Sequence, residues 1–196
     1  MGFLGRLMRG LGRNSGRRFW RDDSAATAVE FAMVSPVFFL MIGCILETGL
    51  MLFTEYVLQT SVQEAARFVR TGQAQTAEMT QSVFKTKICD LAKYIIDCNG
   101  AVTVYMTTAA TFQSLNATVP SYLSIGVKAD GTTDAPTFSC GGPAVPVALI
   151  ATYDWQFSIP YFMKFFGNIA GGNKRRIAGF AVFRNEPFPS SSKVCK

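Results

Sequence analysis

The chain has 196 residues, a net charge of +6 and a hydrophobic fraction of 49%, with no histidine anywhere. The missing imidazole excludes Ser-His and Cys-His nucleophiles, and no Gly-rich phosphate loop ending in Gly-Lys-Ser/Thr opens a helix. The expectation is a non-enzyme that carries no cofactor.

The first 25 residues are basic. Arg6, Arg9, Arg13, Arg17, Arg18 and Arg21 are opposed by Asp22 and Asp23 alone, a net +4. Next comes the uncharged run Phe31–Leu46, then Glu47, then the uncharged run Thr48–Phe53, with Glu30 immediately ahead. About 20 apolar residues at ~1.5 Å each cross a bilayer core of ~30 Å, so this stretch is long enough to span one. The flank behind it, Thr54–Gly72, balances Glu55 and Glu64 against Arg67 and Arg70. Basic residues stay on the cytoplasmic side, which places the N-terminus inside and everything after Phe53 outside. Topology thus accounts for the arginines, and no nucleic-acid partner is expected. A carboxylate at the edge of an apolar segment, and another within it, marks function by default because a charge there is costly.

The helical pattern continues past the membrane. Leu58, Val62, Ala65 or Ala66 and Val69 keep a period of three to four, and Gly72 suits a C-terminal stop. One helix is predicted over residues 28–71, with Pro36 a tolerated defect inside it. A second is predicted from Thr76 to Ile96, with Phe84, Ile88, Leu91 and Ile95 on one face and Lys85, Lys87 and Lys93 elsewhere.

Alternation then replaces helical spacing. Ala101–Phe112, Val145–Phe157 and Arg176–Arg184 read as strands, the second placing Val147, Leu149, Ala151, Tyr153 and Trp155 on a common face. Leu115–Gly142, dense in Ser, Thr, Gly, Asp and Pro, reads as a long loop with a short strand at Tyr122–Val127. Its Asp130 and Asp134 are carboxylates of the kind that are ordinarily just solvated. The aromatic cluster Phe157–Phe166 suits core packing, with contact to partner subunits or the membrane surface as the alternative, and Gly167–Asn173 is a turn. Arg184 and Glu186 finish the last strand and fix the tail, with Pro187 and Pro189 ending the pairing. The fold class is α+β: a long N-terminal transmembrane helix, a second helix, and an antiparallel sheet of three or four strands covered by helices. The division is 1–25 leader, 26–72 spanning and extended helix, and 73–196 exported domain.

Cys44 lies in the membrane segment, and Cys89, Cys98, Cys140 and Cys195 lie beyond it. Four cysteines outside the cytoplasm read as two disulfides with three possible connectivities. Cys89 and Cys98 are the easiest pair to join, leaving Cys140 with Cys195; buried reduced thiols are the alternative. Zinc is not expected, since histidine and a Cys-x-x-Cys pair are both missing.

A basic start before an apolar run has three readings. A cleaved secretory signal has a shorter apolar core followed by a small-x-small site, which this chain lacks. Met41-Ile42-Gly43-Cys44 loosely resembles a lipobox, but the usual leucine is absent and Glu30 burdens the apolar core. The third reading is cleavage before the apolar segment. Ala25-Ala26-Thr27-Ala28-Val29-Glu30-Phe31 resembles the processing site of type IV prepilins, with Glu30 fifth in a chain cut between Ala25 and Ala26. The longer string Ala26–Ala32 with Pro36, Ile45-Leu46-Glu47-Thr48-Gly49 and Ala65-Ala66-Arg67 resembles the TadE-like pseudopilins of the tight-adherence (Tad/Flp) pilus. Tyr153-Asp154-Trp155 and Ala181-Val182-Phe183-Arg184-Asn185-Glu186-Pro187-Phe188 are similar to that family's later strand and C-terminal signature. Prepilin peptidases prefer glycine before the cut, where this chain has Ala25.

The resemblance implies a pseudopilin or minor pilin that takes part in assembling an adhesive pilus. It implies a bacterial inner-membrane location with a periplasmic C-terminal domain. Its partners would be a prepilin peptidase, other pilin and pseudopilin subunits, and the Tad inner-membrane assembly machinery. Glu30, followed by Phe31, would pair with the Ala26 amine of a neighbouring subunit. Glu47 either makes a second polar contact between helices or reaches the outer interface. The alternative is a membrane-tethered or lipidated exported binding domain that never enters a filament.

Overall fold

The computed structural model describes residues 23–98, 102–121, 123–125, 137–159, 164–169, 173–189 and 195. The basic leader up to residue 22, Asp130, Asp134 and most of the expected strand Tyr122–Val127 lie outside these. The chain divides into two units, Met1–Leu46 and Glu47–Lys196.

Helix α1 runs Asp23–Arg70 and contains Pro36. Within the first unit its apolar side chains have no protein cover: Phe31, Met33, Val34, Val37 and Phe39 are all exposed. Ala26–Arg70 is long and apolar enough to cross a membrane. Leaving such side chains in water forfeits roughly 1.5–3 kcal/mol for each large one, so this segment calls for lipid or neighbouring helices.

The second unit begins inside α1, because from Glu47 onward one face of the helix is buried. Leu58, Val62, Ala65 and Val69 are fully covered, as the sequence spacing predicts. Gly72 ends the helix at φ 79°, its N–H donating to the Val69 carbonyl at 3.1 Å. A Cβ at Gly72 would lie 2.8 Å from the Phe188 ring, so the C-terminal tail packs on this turn.

The expected helix Thr76–Ile96 is shorter, and a separate turn of helix precedes it. A short α2 spans Gln73–Thr76 and α3 spans Gln81–Ala92, with the Thr80 hydroxyl accepting from the Val83 N–H. The buried series is Phe84, Ile88 and Ala92 rather than one continuing to Leu91 and Ile95, which are exposed. After Ala92 the chain tightens: both Ile95 and Ile96 N–H groups donate to the Ala92 carbonyl. Ile96 is therefore buried in place of Ile95.

Strands β1 (Val102–Thr108), β2 (Pro146–Gln156) and β3 (Lys174–Arg184) form an antiparallel sheet in the order β1-β2-β3. Phe112 belongs to no strand. It opens α4 (Phe112–Thr118), which the sequence reading placed partly in a strand and partly in a loop. Thr111 and Ser114 form a reciprocal capping box there, with serine in the place Glu or Gln usually takes. Leu123–Ile125 is a turn rather than strand.

In register, Val104 faces Ala151 and Ala151 faces Gly179. A Cβ at Gly179 would meet Val62 at 3.0 Å and the Leu58 carbonyl at 3.1 Å, so α1 crosses β3 at close range only because the position lacks a side chain. The opposite face holds Tyr105, Ile150 and Ala178, covered by Ile125 and Val119. Residues 146–152 of β2 are consequently buried on both faces. The expected common face of that strand is buried only as far as Ala151, and Tyr153 and Trp155 are half-exposed.

The outer edges are held by side-chain amides. Gln59 accepts from the Phe180 N–H and donates to its carbonyl, both at 2.8 Å, and Gln63 donates to the same carbonyl. Asn168 does the same for the backbone of Arg176, and Gln81 donates to the Val104 carbonyl. These bonds occupy groups that an unpaired strand edge would offer to another chain.

Candidate functional site

The Ala25–Ala26 peptide bond falls in the first turn of α1, where the leading N–H groups have no intrahelical acceptor and the helix opens at least cost. Ala26 and Glu30 are four residues apart, hence on one face, and both are exposed. Phe31 is exposed beside them. Among the described residues Glu30 has no hydrogen-bond or ion-pair partner. Its carboxylate is an uncompensated charge next to an apolar run, the condition under which a partner from another molecule contributes most.

Glu47 is the opposite case. It is 6% exposed, and its carboxylate accepts the backbone N–H groups of Ser158 and Ile159, the latter at 3.3 Å. These donors follow β2, where the backbone leaves the sheet, so the carboxylate and two peptide N–H groups satisfy one another. The contact is internal to the second unit.

Both disulfides join as the favoured connectivity had it. Cys89–Cys98 has Cα atoms 5.9 Å apart and Cys140–Cys195 5.7 Å apart, while Cys44 takes part in neither. The first ties the end of α3 to the segment entering β1. The second ties the chain before β2 to the C-terminus, across a separation of 55 residues.

The C-terminal motif works as a fastening. The Arg184 Nε donates to the Ala144 carbonyl at 2.7 Å. The Glu186 N–H donates to the Arg70 carbonyl, and its carboxylate lies 3.3 Å from the Arg70 Nε. Asn185, between them and buried, donates to the Cys140 and Gly142 carbonyls. Buried Gln75 also reaches the Cys140 carbonyl and adds the last-turn Val69 carbonyl of α1. The helix end, the second disulfide and the tail thus share one buried hydrogen-bond cluster.

Sequence reasoning missed a buried ion pair. Arg176 on β3 stands opposite Asp154 on β2 and meets it with two nitrogens, at 2.6 and 2.8 Å. Its remaining nitrogen donates to the Leu123 and Ile125 carbonyls, pinning the turn that covers the sheet. The only cue was a lone aspartate in an otherwise apolar strand, and nothing in the linear chain named its partner. Beside it, burial raises the Tyr153 phenol above its ordinary 10.0; the Asp97 charge adds to this and a backbone hydrogen bond at Asp97 opposes it. The aromatic cluster expected in the core divides: Phe157 is buried, whereas Phe165 and Phe166 are exposed. No group of three or more His, Cys, Asp or Glu side chains able to hold a metal occurs among the described residues.

Residues 25–67 match the family model described as TadE-like protein. That range starts at the candidate cleavage residue and includes Glu30 and Glu47. The chain has no match among curated proteins or solved structures.

Proposed function

Taking the chain as a TadE-like protein associated with Tad pilus systems, we propose that it is a pseudopilin or minor pilin. In this reading it spans the bacterial inner membrane once, with the basic leader in the cytoplasm and the disulfide-bonded domain in the periplasm. A prepilin peptidase cuts between Ala25 and Ala26, and the subunit then joins other pilin and pseudopilin subunits through the Tad inner-membrane assembly machinery. The role is structural, with no catalysis assigned.

The observation that carries this is Glu30, without a partner among the described residues and one turn after Ala26 on an apolar helix that those residues leave uncovered. Cleavage creates a cationic α-amine, and a neighbour's amine is a counter-charge of the right sign and reach for such a carboxylate. The basic leader supports the assigned orientation. Two disulfides suit an oxidising compartment.

The test is the intact mass and N-terminal residue of the protein isolated from membranes of its native host. A chain beginning at Ala26 is the expected result. A chain beginning at Met1 would refute processing, and a lipid on Cys44 would replace this reading with that of a lipoprotein.

A further inference from the structure

We propose that Cys89–Cys98 is an exchangeable disulfide, opened and closed in the folded domain by a dithiol enzyme of the thioredoxin kind that docks on Tyr94 and Ile95 and attacks the Cys98 sulfur. All of these residues lie within the second unit, and nothing in the exchange depends on how α1 meets a membrane.

The two disulfides differ in their surroundings. Cys140 is wholly buried and Cys195 nearly so. The Cys140 carbonyl accepts from the Gln75 and Asn185 amides, so the cluster beneath the tail encloses this half-cystine. Cys89 and Cys98 instead both line an open hollow of about 510 Å³. Cys89 is buried on α3, whereas Cys98 is half-buried in the chain beyond the helix. Exchange requires a thiolate to reach a sulfur, and Cys98 is the more accessible of this pair.

The place of the bond decides what its opening does. Cys89 and Cys98 are 9 positions apart, against 55 for Cys140 and Cys195. Closing the shorter loop removes less entropy from the unfolded chain, so opening it disturbs the domain less. The segment released is Lys93–Asp97. Its Ile96 is buried, and its Asp97 lines a second hollow with Tyr153 and Trp155 near the end of β2. Opening the bond loosens this cover while the strands and the second disulfide stay in place.

The rim of the hollow supplies the docking surface. Tyr94 is 88% exposed and Ile95 37%, and both line the hollow with the two cysteines. The disulfide sets the chemistry of the occupant, since a dithiol reacts there and departs with nothing left attached. Its first thiolate bonds to the Cys98 sulfur as the Cys89–Cys98 bond breaks, and Cys89 leaves as a thiolate that takes a proton from water. The second thiolate then attacks the first sulfur of its own pair. Cys98 is freed as a thiol, and the partner, having given two electrons, leaves as a disulfide. Closure is the same sequence reversed, with an oxidised partner.

The full-length chain carrying Cys44→Ser, in detergent micelles without denaturant, would be incubated with reduced thioredoxin, quenched with acid, alkylated and mapped by peptide mass. Cys89 and Cys98 are expected to be alkylated severalfold faster than Cys140 and Cys195, with the far-ultraviolet circular dichroism retained. Equal rates, faster alkylation of Cys140 and Cys195, or protection of both pairs until denaturant unfolds the domain each overturn the proposal. So does loss of the circular dichroism when Cys89–Cys98 opens. Thioredoxin whose second active-site cysteine is replaced by serine should be trapped on Cys98, and capture on Cys89 overturns the assigned point of attack. Tyr94→Ser with Ile95→Ser should slow thioredoxin severalfold and leave reduction by dithiothreitol unchanged. Equal slowing of both reductants, or of neither, overturns the docking role of these side chains.

Discussion

Two glutamates on one helix show how differently the two units of this chain are built. Glu47 is buried and takes two backbone N–H groups from the chain around it, whereas Glu30 is exposed and has no partner among the described residues. The contrast extends to their surroundings. The second unit closes its own accounts with two disulfides, a bidentate ion pair, amide-capped strand edges and a fastened tail. The described part of the first unit is an apolar helix segment without cover among the described residues, complete only in contact with lipid or other helices. The self-sufficient unit can be damaged by breaking its internal bonds, and the incomplete one by removing what it offers to others.

The largest expected effect separates those cases most sharply. Replacing Cys140 and Cys195 together by serine releases a 55-residue constraint and should cost about 4 kcal/mol of domain stability, read as a lower unfolding midpoint in denaturant. The same change at Cys89 and Cys98 should cost about 2.5 kcal/mol because the closed loop is shorter. If the two losses came out equal, loop closure would not be the mechanism.

Asp154→Ala leaves the Arg176 guanidinium buried beside two carbonyls without its counter-charge. A loss of roughly 3 kcal/mol is expected, with faster amide exchange at Leu123–Ile125. Unchanged exchange there would show that Arg176 does not hold the turn. Glu47→Ala should cost about 1–3 kcal/mol, the penalty of two backbone donors left without an acceptor. A fully stable variant would mean that water reaches Ser158 and Ile159 freely.

A smaller effect is pH-dependent. The folded Tyr153 phenol titrates above 10.0, so the stability it lends is fully present below that pH and declines as the pH rises through the folded value. Following the Tyr153 ionisation band by ultraviolet absorbance against a Tyr153→Phe reference checks this; a group titrating below pH 10 would reverse the sign.

Glu30→Ala closes the series, with no expected shift in domain unfolding. The protein should still insert in the membrane, yet its recovery in sheared pilus fractions or crosslinked subunit complexes should fall severalfold. Normal incorporation would remove the assembly role from Glu30.

Much of this architecture could be read along the chain because it depends on near neighbours. The apolar run, the buried stripe from Leu58 to Val69, the stop at Gly72 and the three alternating segments each follow from local spacing, and the cysteine pairing was favoured by short separation. Local signals failed where a boundary was set by something distant or unusual. The long second helix was cut short because Glu78 turns the chain at φ 48° before Thr80 caps α3 and the chain tightens after Ala92, and α4 was missed because its capping box uses serine at the third helical position.

The sequence by itself determined the apolar helix, the succession of the three strands and the likeness to TadE-like chains, since hydropathy, spacing and motif are properties of consecutive residues. Only the tertiary structure decided that Glu47 meets Ser158, that Arg176 meets Asp154, and that Gly179 lets α1 come close enough for Gln59 to hold the strand edge. Each of these joins residues from about 20 to about 120 positions apart. Their pairing depends on sheet register and on the crossing of a helix over a strand, which only the folded chain sets.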